Sequence, residues 1–234
     1  MLLQYYDGLI EMERNSVREA FEAKPEMIGK AHQKISDITQ LFNISSGKKE
    51  IFAYQSALQD LAFSLHHAVT GLYRQSYVSQ RVALENSVAA IYYSSRLIEL
   101  KNWSSGKISV SWSEVAFSQE GVFTPLFIEA FCPEVSDRID EYANLAKRLY
   151  SNLSDFTHKR VTTHRYDEYK FQYNENAFNE VIDSFNDVLD VVTFAFLSRY
   201  IHTEEDDAIE RTSENVTNLC GGSHPFAFHP ALRT

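Results

Sequence analysis

Two groups of residues in this chain have the types and spacing to do chemistry. The first is Arg81 and Glu85, four apart and so on one face of any helix that holds them, with Leu84, Val88, Ile91 and Tyr92 around them. An unpaired charge among such neighbours is costly, so the two must pair with each other or with groups on a facing helix. Such a pair either fixes helix register or lines a polar pocket that binds a ligand in the core.

The second group is Ser154, Asp155, His158, Lys159, Arg160, His164 and Tyr166, gathered where a helical pattern gives way to a loop. Histidine exchanges protons near neutral pH, and a neighbouring lysine or arginine can stabilise a phosphorane-like anion. That is the minimum equipment for cleaving RNA without a metal. The same residue types also serve an ordinary helix C-terminus, where cations complement the dipole. His66, His67, His158, His164, Asp155 and Asp167 offer metal-ligand chemistry, yet adjacent histidines diverge on a helix and no H-E-x-x-H spacing occurs. No metal site is expected. With no P-loop, G-x-G-x-x-G, G-x-S-x-G or EF-hand pattern, no cofactor is expected either.

The elements that must position these residues are helices. The run from Leu61 to Ser95 contains only Arg74, Arg81 and Glu85 as formal charges, whereas 23% of the chain is charged. A segment so poor in charge has apolar residues on more than one side and must be covered by other helices, which makes it the central element. Gly71 and the polar Arg74-Gln75-Ser76 mark where it could kink or break. Tyr6, Leu9, Ile10, Val17, Ala20 and Phe21 form one helical stripe before Pro25, and Ile28, Ala31, Ile35, Ile38, Leu41 and Phe42 form another after it. The two predict an antiparallel hairpin over residues 1–43, followed by a core bundle over 49–203.

Within that bundle, Lys107 to Ser113 reads as a connector anchored by Trp112, and a helical piece interrupted near Gly121 or Pro125 runs on to Phe131. Pro133-Glu134 opens a helix with the stripe Ile139, Tyr142, Ala146, Leu149, Tyr150, Leu153 and Phe156, which stops near His158. The last long helix starts at Asn174 or Asn176 and buries Phe178 through Phe196 at steps of three and four. One helical domain over 1–211 results. The tail over 212–234, with Gly221-Gly222, Pro225 and Pro230, has the composition of disorder unless Phe226, Phe228 and Leu232 dock on the body or on a neighbouring chain.

Two resemblances rest on these residues. The R-x-x-x-E of QRVALENSVAAIYYS, with W-S-E-V and LYSNLSDFTHKR downstream, resembles a group of bacterial all-helical proteins associated with mobile elements and phage defence. It implies roles for Arg81, Glu85, Ser154 and His158. The wider similarity is to HEPN domains, helical bundles that include ribonucleases marked by R-x4-6-H, sometimes extended as R-x4-H-x-Y. Here the spacing departs from that mark: three residues separate Arg160 from His164, and the four-residue spacing starts at Lys159. Lysine lacks arginine's planar fork.

Composition narrows the rest. At 44% hydrophobic, 13% aromatic, eight Gly and five Pro, the chain suits long helices better than a turn-rich β fold. A net charge of −10 without a basic tract longer than a pair disfavours duplex DNA. No uninterrupted apolar stretch reaches the ~18 residues of a membrane span, and the opening MLLQYYDGLIEMERN lacks the basic start of a signal peptide. Cys132 and Cys220 alone make no disulfide scaffold. A cytoplasmic location follows as the expectation.

The expectation is an all-α multi-helix bundle with a long, buried central helix and an up-and-down, HEPN-like core. It acts as an interaction or regulatory subunit, homo-oligomeric or bound to a protein partner, in the setting of bacterial defence. The alternative is a metal-independent ribonuclease or RNA-binding protein, with His158 or His164 as acid and base and Lys159, Arg160 or Arg81 holding phosphate.

Overall fold

The charge-poor run does not form one rod, because Gly71 turns it back on itself. The structure, a computed structural model, describes residues 2–158, 171–202, 211–220 and 224–228. Among them lie ten α-helices and no strand: α1 (Leu2–Ala23), α2 (Pro25–Phe42), α3 (Ile51–Val69), α4 (Tyr73–Tyr93), α5 (Leu97–Ser104), α6 (Trp112–Phe117), α7 (Pro125–Phe131), α8 (Ile139–Thr157), α9 (Glu175–Tyr200) and α10 (Ser213–Cys220). Short 3-10 turns occupy Asn43–Ser45, Pro133–Arg138 and Pro225–Phe228. No described helix is long and apolar enough to cross a membrane.

Gly71 sits at φ +76°, a conformation that glycine adopts without steric cost. The chain there leaves α3 and returns as α4 in the opposite direction. Ser64 Oγ lies 2.9 Å from Ser76 Oγ, and Asn86 reaches Ser56 further along, which fixes the antiparallel register. Small side chains permit the close approach: Ala53, Ala57, Ser64 and Ala68 on α3 are buried, as are Ser76, Ala83, Ser87 and Ala90 on α4. Thirteen of the twenty-one residues of α4 are buried, and only Gln75 and Val82 are exposed, on one narrow stripe of its first half. It packs against α3, α6, α8 and α9 and is the central element expected.

Among the later helices the start of α9 and the stop of α8 fall where expected, whereas the helix expected to open at Pro133 begins at Ile139. Asn174 caps α9, its side chain accepting from Ala177 N–H at 2.9 Å. Every residue assigned to the inner stripe of α9 is buried. The Pro133 segment is a 3-10 turn before α8 takes over at Ile139, and α8 ends at His158. Tyr142 of α8 stacks on Phe194 of α9 at 3.8 Å.

The first hairpin is open. Lys24 alone separates α1 from α2, and only Ser16 and Ala20 of α1 are buried. Ser16 Oγ donates to Val69 O at 3.1 Å, pinning the C-terminal half of α1 across the end of α3. The stripe residues Tyr6 and Ile10 remain exposed, because the helix runs past the bundle instead of along α2.

The tail joins the core where it is described. The helix α10 packs on α2 and α9, and Asn215 Nδ2 donates to the buried Asp37 Oδ1 at 2.9 Å. Phe226 is fully buried against Phe194. The Phe228 side chain and Leu232 lie outside the described residues. His224 is enclosed by Tyr142, Phe194 and Phe226, with Nδ1 accepting from Phe226 N–H and Nε2 facing Asp190 Oδ1 at 3.6 Å. Burial, with the positive charge of Arg138 behind it, lowers the His224 pKa to about 3.

Two predictions come from this packing. A Cβ on Gly71 would stand 2.5 Å from the Gln172 backbone N, whereas one on Gly47, also at positive φ, meets nothing within 4 Å. Gly47→Ala should therefore cost about 1–2 kcal/mol from backbone conformation alone, and Gly71→Ala clearly more, read from urea unfolding midpoints. For His224, the folded pKa lies below the unfolded value, so its contribution is complete above ~6.5 and is lost as pH falls through the window down to about 3. Between pH ~6.5 and ~5 the wild type should lose stability relative to His224→Asn by up to ~1.4 kcal/mol per pH unit. Parallel pH profiles of the two proteins would refute the enclosed neutral ring.

Candidate functional site

Successive residues of a helix point about 100° apart, so Gln80 and Arg81 serve different neighbours of α4. Gln80 points between α3 and α9. Its Nε2 donates to Ser64 Oγ and to Val181 O, both at 3.1 Å, and its Oε1 accepts from Ser184 Oγ at 2.7 Å. Arg81 turns towards α8. There its Nη2 donates to Tyr150 Oη at 2.8 Å and to Glu85 Oε1 at 3.1 Å, while Tyr150 O–H donates to the same Glu85 oxygen at 2.9 Å.

The three groups close a ring of hydrogen bonds. Trp112, at the first residue of α6, lies flat on the Tyr150 ring at 4.4 Å and 5°, and the Arg81 guanidinium sits 5.0 Å from that ring's centre. Trp112 is thus the anchor its sequence position suggested. The charges lie nearer the surface than the surrounding sequence implied: Arg81 is 16% and Glu85 26% exposed, at the margin of the core instead of its centre. The reason is the length of both side chains, which carry their charged ends outward between α4, α6 and α8. Burial, opposed by the Arg81 hydrogen bond and aided by Glu85, raises the Tyr150 pKa, so the phenol stays protonated and donates. The geometry of the ring suits holding helices together.

The second candidate group is divided. Ser154 Oγ donates back to Tyr150 O one turn earlier at 2.7 Å, and Asp155 is half-buried in the last turn of α8. His158 is the exposed C-cap of that helix. Eight residues of α8 separate it from Tyr150, or about 12 Å along the axis, so Arg81 does not share a site with it. The guanidinium that meets this helix end belongs to Arg74, whose Nε donates to Phe156 O at 3.0 Å beneath the Tyr77–Phe156 stack. Arg74 complements the terminal carbonyls as a cation should. Lys159, Arg160, His164, Tyr166 and Asp167 lie outside the described residues.

Residues that sequence reasoning passed over form two further polar clusters. On one side of the bundle, Tyr54 O–H donates to Tyr200 Oη at 3.2 Å and Tyr200 O–H donates to the buried Glu50 Oε1 at 2.6 Å. Burial, with Glu50 adjacent, raises the Tyr200 pKa and keeps that phenol neutral. Elsewhere Cys132, Glu134 and His202 bring one ligand atom each to within 4.8 Å of one another. The metal ligands considered from sequence were other residues. His66 and His67 carry neighbouring rings 5.9 Å apart, and His67 reaches Ser79, but they join no group of three among the described residues.

The Arg81 ring predicts measurable coupling. Tyr150→Phe removes the hydroxyl that completes it and should cost about 1–2 kcal/mol in unfolding free energy. In a double-mutant cycle, Arg81→Met and Tyr150→Phe should together cost less than the sum of the two by at least ~0.5 kcal/mol. Strict additivity would mean the ring does not act as a unit.

The comparisons with known proteins leave the assignment to this geometry, because no family model, curated protein or solved structure matches the chain.

Proposed function

We propose that the protein is a helical interaction subunit that assembles with a second copy of itself through α1. The observation that carries this reading is the apolar surface on the first three turns of that helix. Leu2 and Leu3 are each 73% exposed, and Tyr5, Tyr6, Ile10 and Met12 are exposed beside them. Removing one such side chain from water is worth about 1.5–3 kcal/mol. Covering six of them therefore offsets an association cost on the order of 4–15 kcal/mol.

The seat for this arm is a groove of about 480 Å³ where α1, α2 and α3 meet, lined chiefly by Phe21, Ile28, Ile35, Leu65 and Val69. The arm cannot reach its own groove. It is one continuous helix from Leu2 to Ala23, and the Ser16 to Val69 bond holds its lower half in place. A second chain supplies an arm without bending one, so two copies can satisfy each other. An assembling role also agrees with the resemblance to defence-associated helical proteins, and with an Arg81 side chain whose Nη2 is committed to Tyr150 and Glu85.

Sedimentation equilibrium tests the reading. The expected result is a dimer or larger closed assembly at micromolar concentration, dissociated by Leu3→Glu with Tyr6→Glu. Gly29 faces the groove, and a Cβ added there meets nothing within 4 Å. Gly29→Glu should therefore dissociate the assembly without unfolding the chain. A wild-type monomer at these concentrations would sink the proposal, as would an assembly indifferent to both sets of changes. Ribonuclease activity abolished by His158→Ala in such a monomer would favour the catalytic alternative.

A further inference from the structure

The Cys132 cluster draws on two segments that are seventy residues apart in sequence. Cys132 ends α7, and Pro133 immediately starts the 3-10 turn that carries Glu134. The turn is fixed on both sides: Cys132 N–H donates to Ile128 O at 2.7 Å and Val135 N–H to Cys132 O at 3.3 Å. His202 arrives from the other direction, two residues beyond the end of α9. Its Nε2 lies 2.9 Å from Glu134 Oε1. The Cys132 thiol donates to the same carboxylate and receives the Glu134 backbone N–H.

A soft sulfur, an intermediate nitrogen and a hard oxygen thus face one point. A tetrahedral zinc-type ion with bonds of about 2.0–2.3 Å places its ligand atoms roughly 3.3–3.6 Å apart. The three atoms all lie within 4.8 Å of one another, near that spacing. Cys132 is buried, whereas Glu134 is 49% and His202 42% exposed, so the sulfur forms the floor and the other two open the way to solvent. Arg199, one turn earlier on α9, is committed to Ser94 Oγ at 2.8 Å and to the face of Phe131, so its charge is held by other partners.

We propose that Cys132, Glu134 and His202 form a binding site for one divalent ion of the zinc class, with water or one further donor in the fourth position. Magnesium and calcium are disfavoured because they seek oxygen ligands, and this set offers sulfur and nitrogen. Binding exchanges protons for metal. The Cys132 S–H proton leaves to solvent as the S–metal bond forms, and the Nε2–H proton that His202 donates to Glu134 passes to solvent or, by tautomer exchange, to Nδ1, which frees the Nε2 lone pair for the ion. The thiolate and carboxylate then place two negative charges around a double positive one. The ion would tie the end of α7 to the end of α9, a join made in its absence by hydrogen bonds and apolar packing.

Cobalt(II) serves as the probe, added to the tag-free full chain under reducing conditions. One equivalent should produce the visible bands of four-coordinate cobalt and a near-ultraviolet thiolate charge-transfer band, both removed by zinc. Cys132→Ser should abolish the charge-transfer band, whereas Cys220→Ser should leave it unchanged. His202→Ala, at a half-exposed position that spares the core, should weaken cobalt binding by at least about tenfold. It decides the question even if Cys132→Ser fails to fold. Failure to bind one equivalent, a charge-transfer band that survives Cys132→Ser, or undiminished affinity in His202→Ala would each overturn the proposal.

Discussion

The fold depends on one buried amide. Gln80 lies in the middle of α4, fully enclosed, and both its N–H groups and its oxygen are satisfied by groups on α3 and α9. Shifting α4 by one residue against either neighbour would leave that amide unpaired in an apolar setting, at a cost of about 1–3 kcal/mol for each group lost. Apolar packing against small residues tolerates several registers, but this amide tolerates one. That selects a single arrangement of three helices, and the outer elements are placed against it.

Read along α4, the same logic recurs at different angles. Tyr73 O–H faces the carbonyls of Gln172 and Asn174 and its oxygen accepts from Asn174 N–H, so the start of α4 holds the start of α9. Arg74 and Tyr77 hold the end of α8. Ser76 and Gln80 face α3, and Arg81 with Glu85 clasps the middle of α8 through Tyr150. The low formal charge of the segment follows from this duty. Neutral polar groups can be buried at moderate cost when each finds a partner, whereas formal charges are kept for the margin, where water still helps.

Much of this was legible in the residues, and the failures have physical reasons. The missing charges around Val88 announced a helix whose second half is covered all round, from Ser87 to Tyr93, and Asn174 announced the start of α9 through its capping chemistry. Gly71 was ambiguous because a lone glycine in a helix costs only about 1 kcal/mol. The close approach of the Gln172 backbone, which requires glycine there, comes from a segment a hundred residues away. Tyr150 falls on the inner stripe of α8, where periodicity alone assigns it to the core. Its hydroxyl, which any partly buried tyrosine must place, was the available sign of a polar partner. The expected hairpin of α1 and α2 rested on a stripe that does exist, but periodicity shows only that a face is apolar and not what covers it.

The Cys132 cluster was hidden for another reason, and that reason separates the two kinds of polar site in this molecule. Ligand spacings are readable when one helix or one turn supplies the whole set, as in H-E-x-x-H, and unreadable when chain ends meet through tertiary packing. Along α4, Tyr73, Arg74, Ser76, Gln80, Arg81 and Glu85 spend hydrogen bonds on neighbouring helices, which leaves them little chemistry beyond holding helices in place. Where α7 and α9 end, the backbone stops prescribing which side chains meet, and a thiol, a carboxylate and an imidazole converge with solvent on one side. A bundle whose register is set at its centre can gather ligand-type side chains at its corners, because changing a corner does not disturb the register that Gln80 sets.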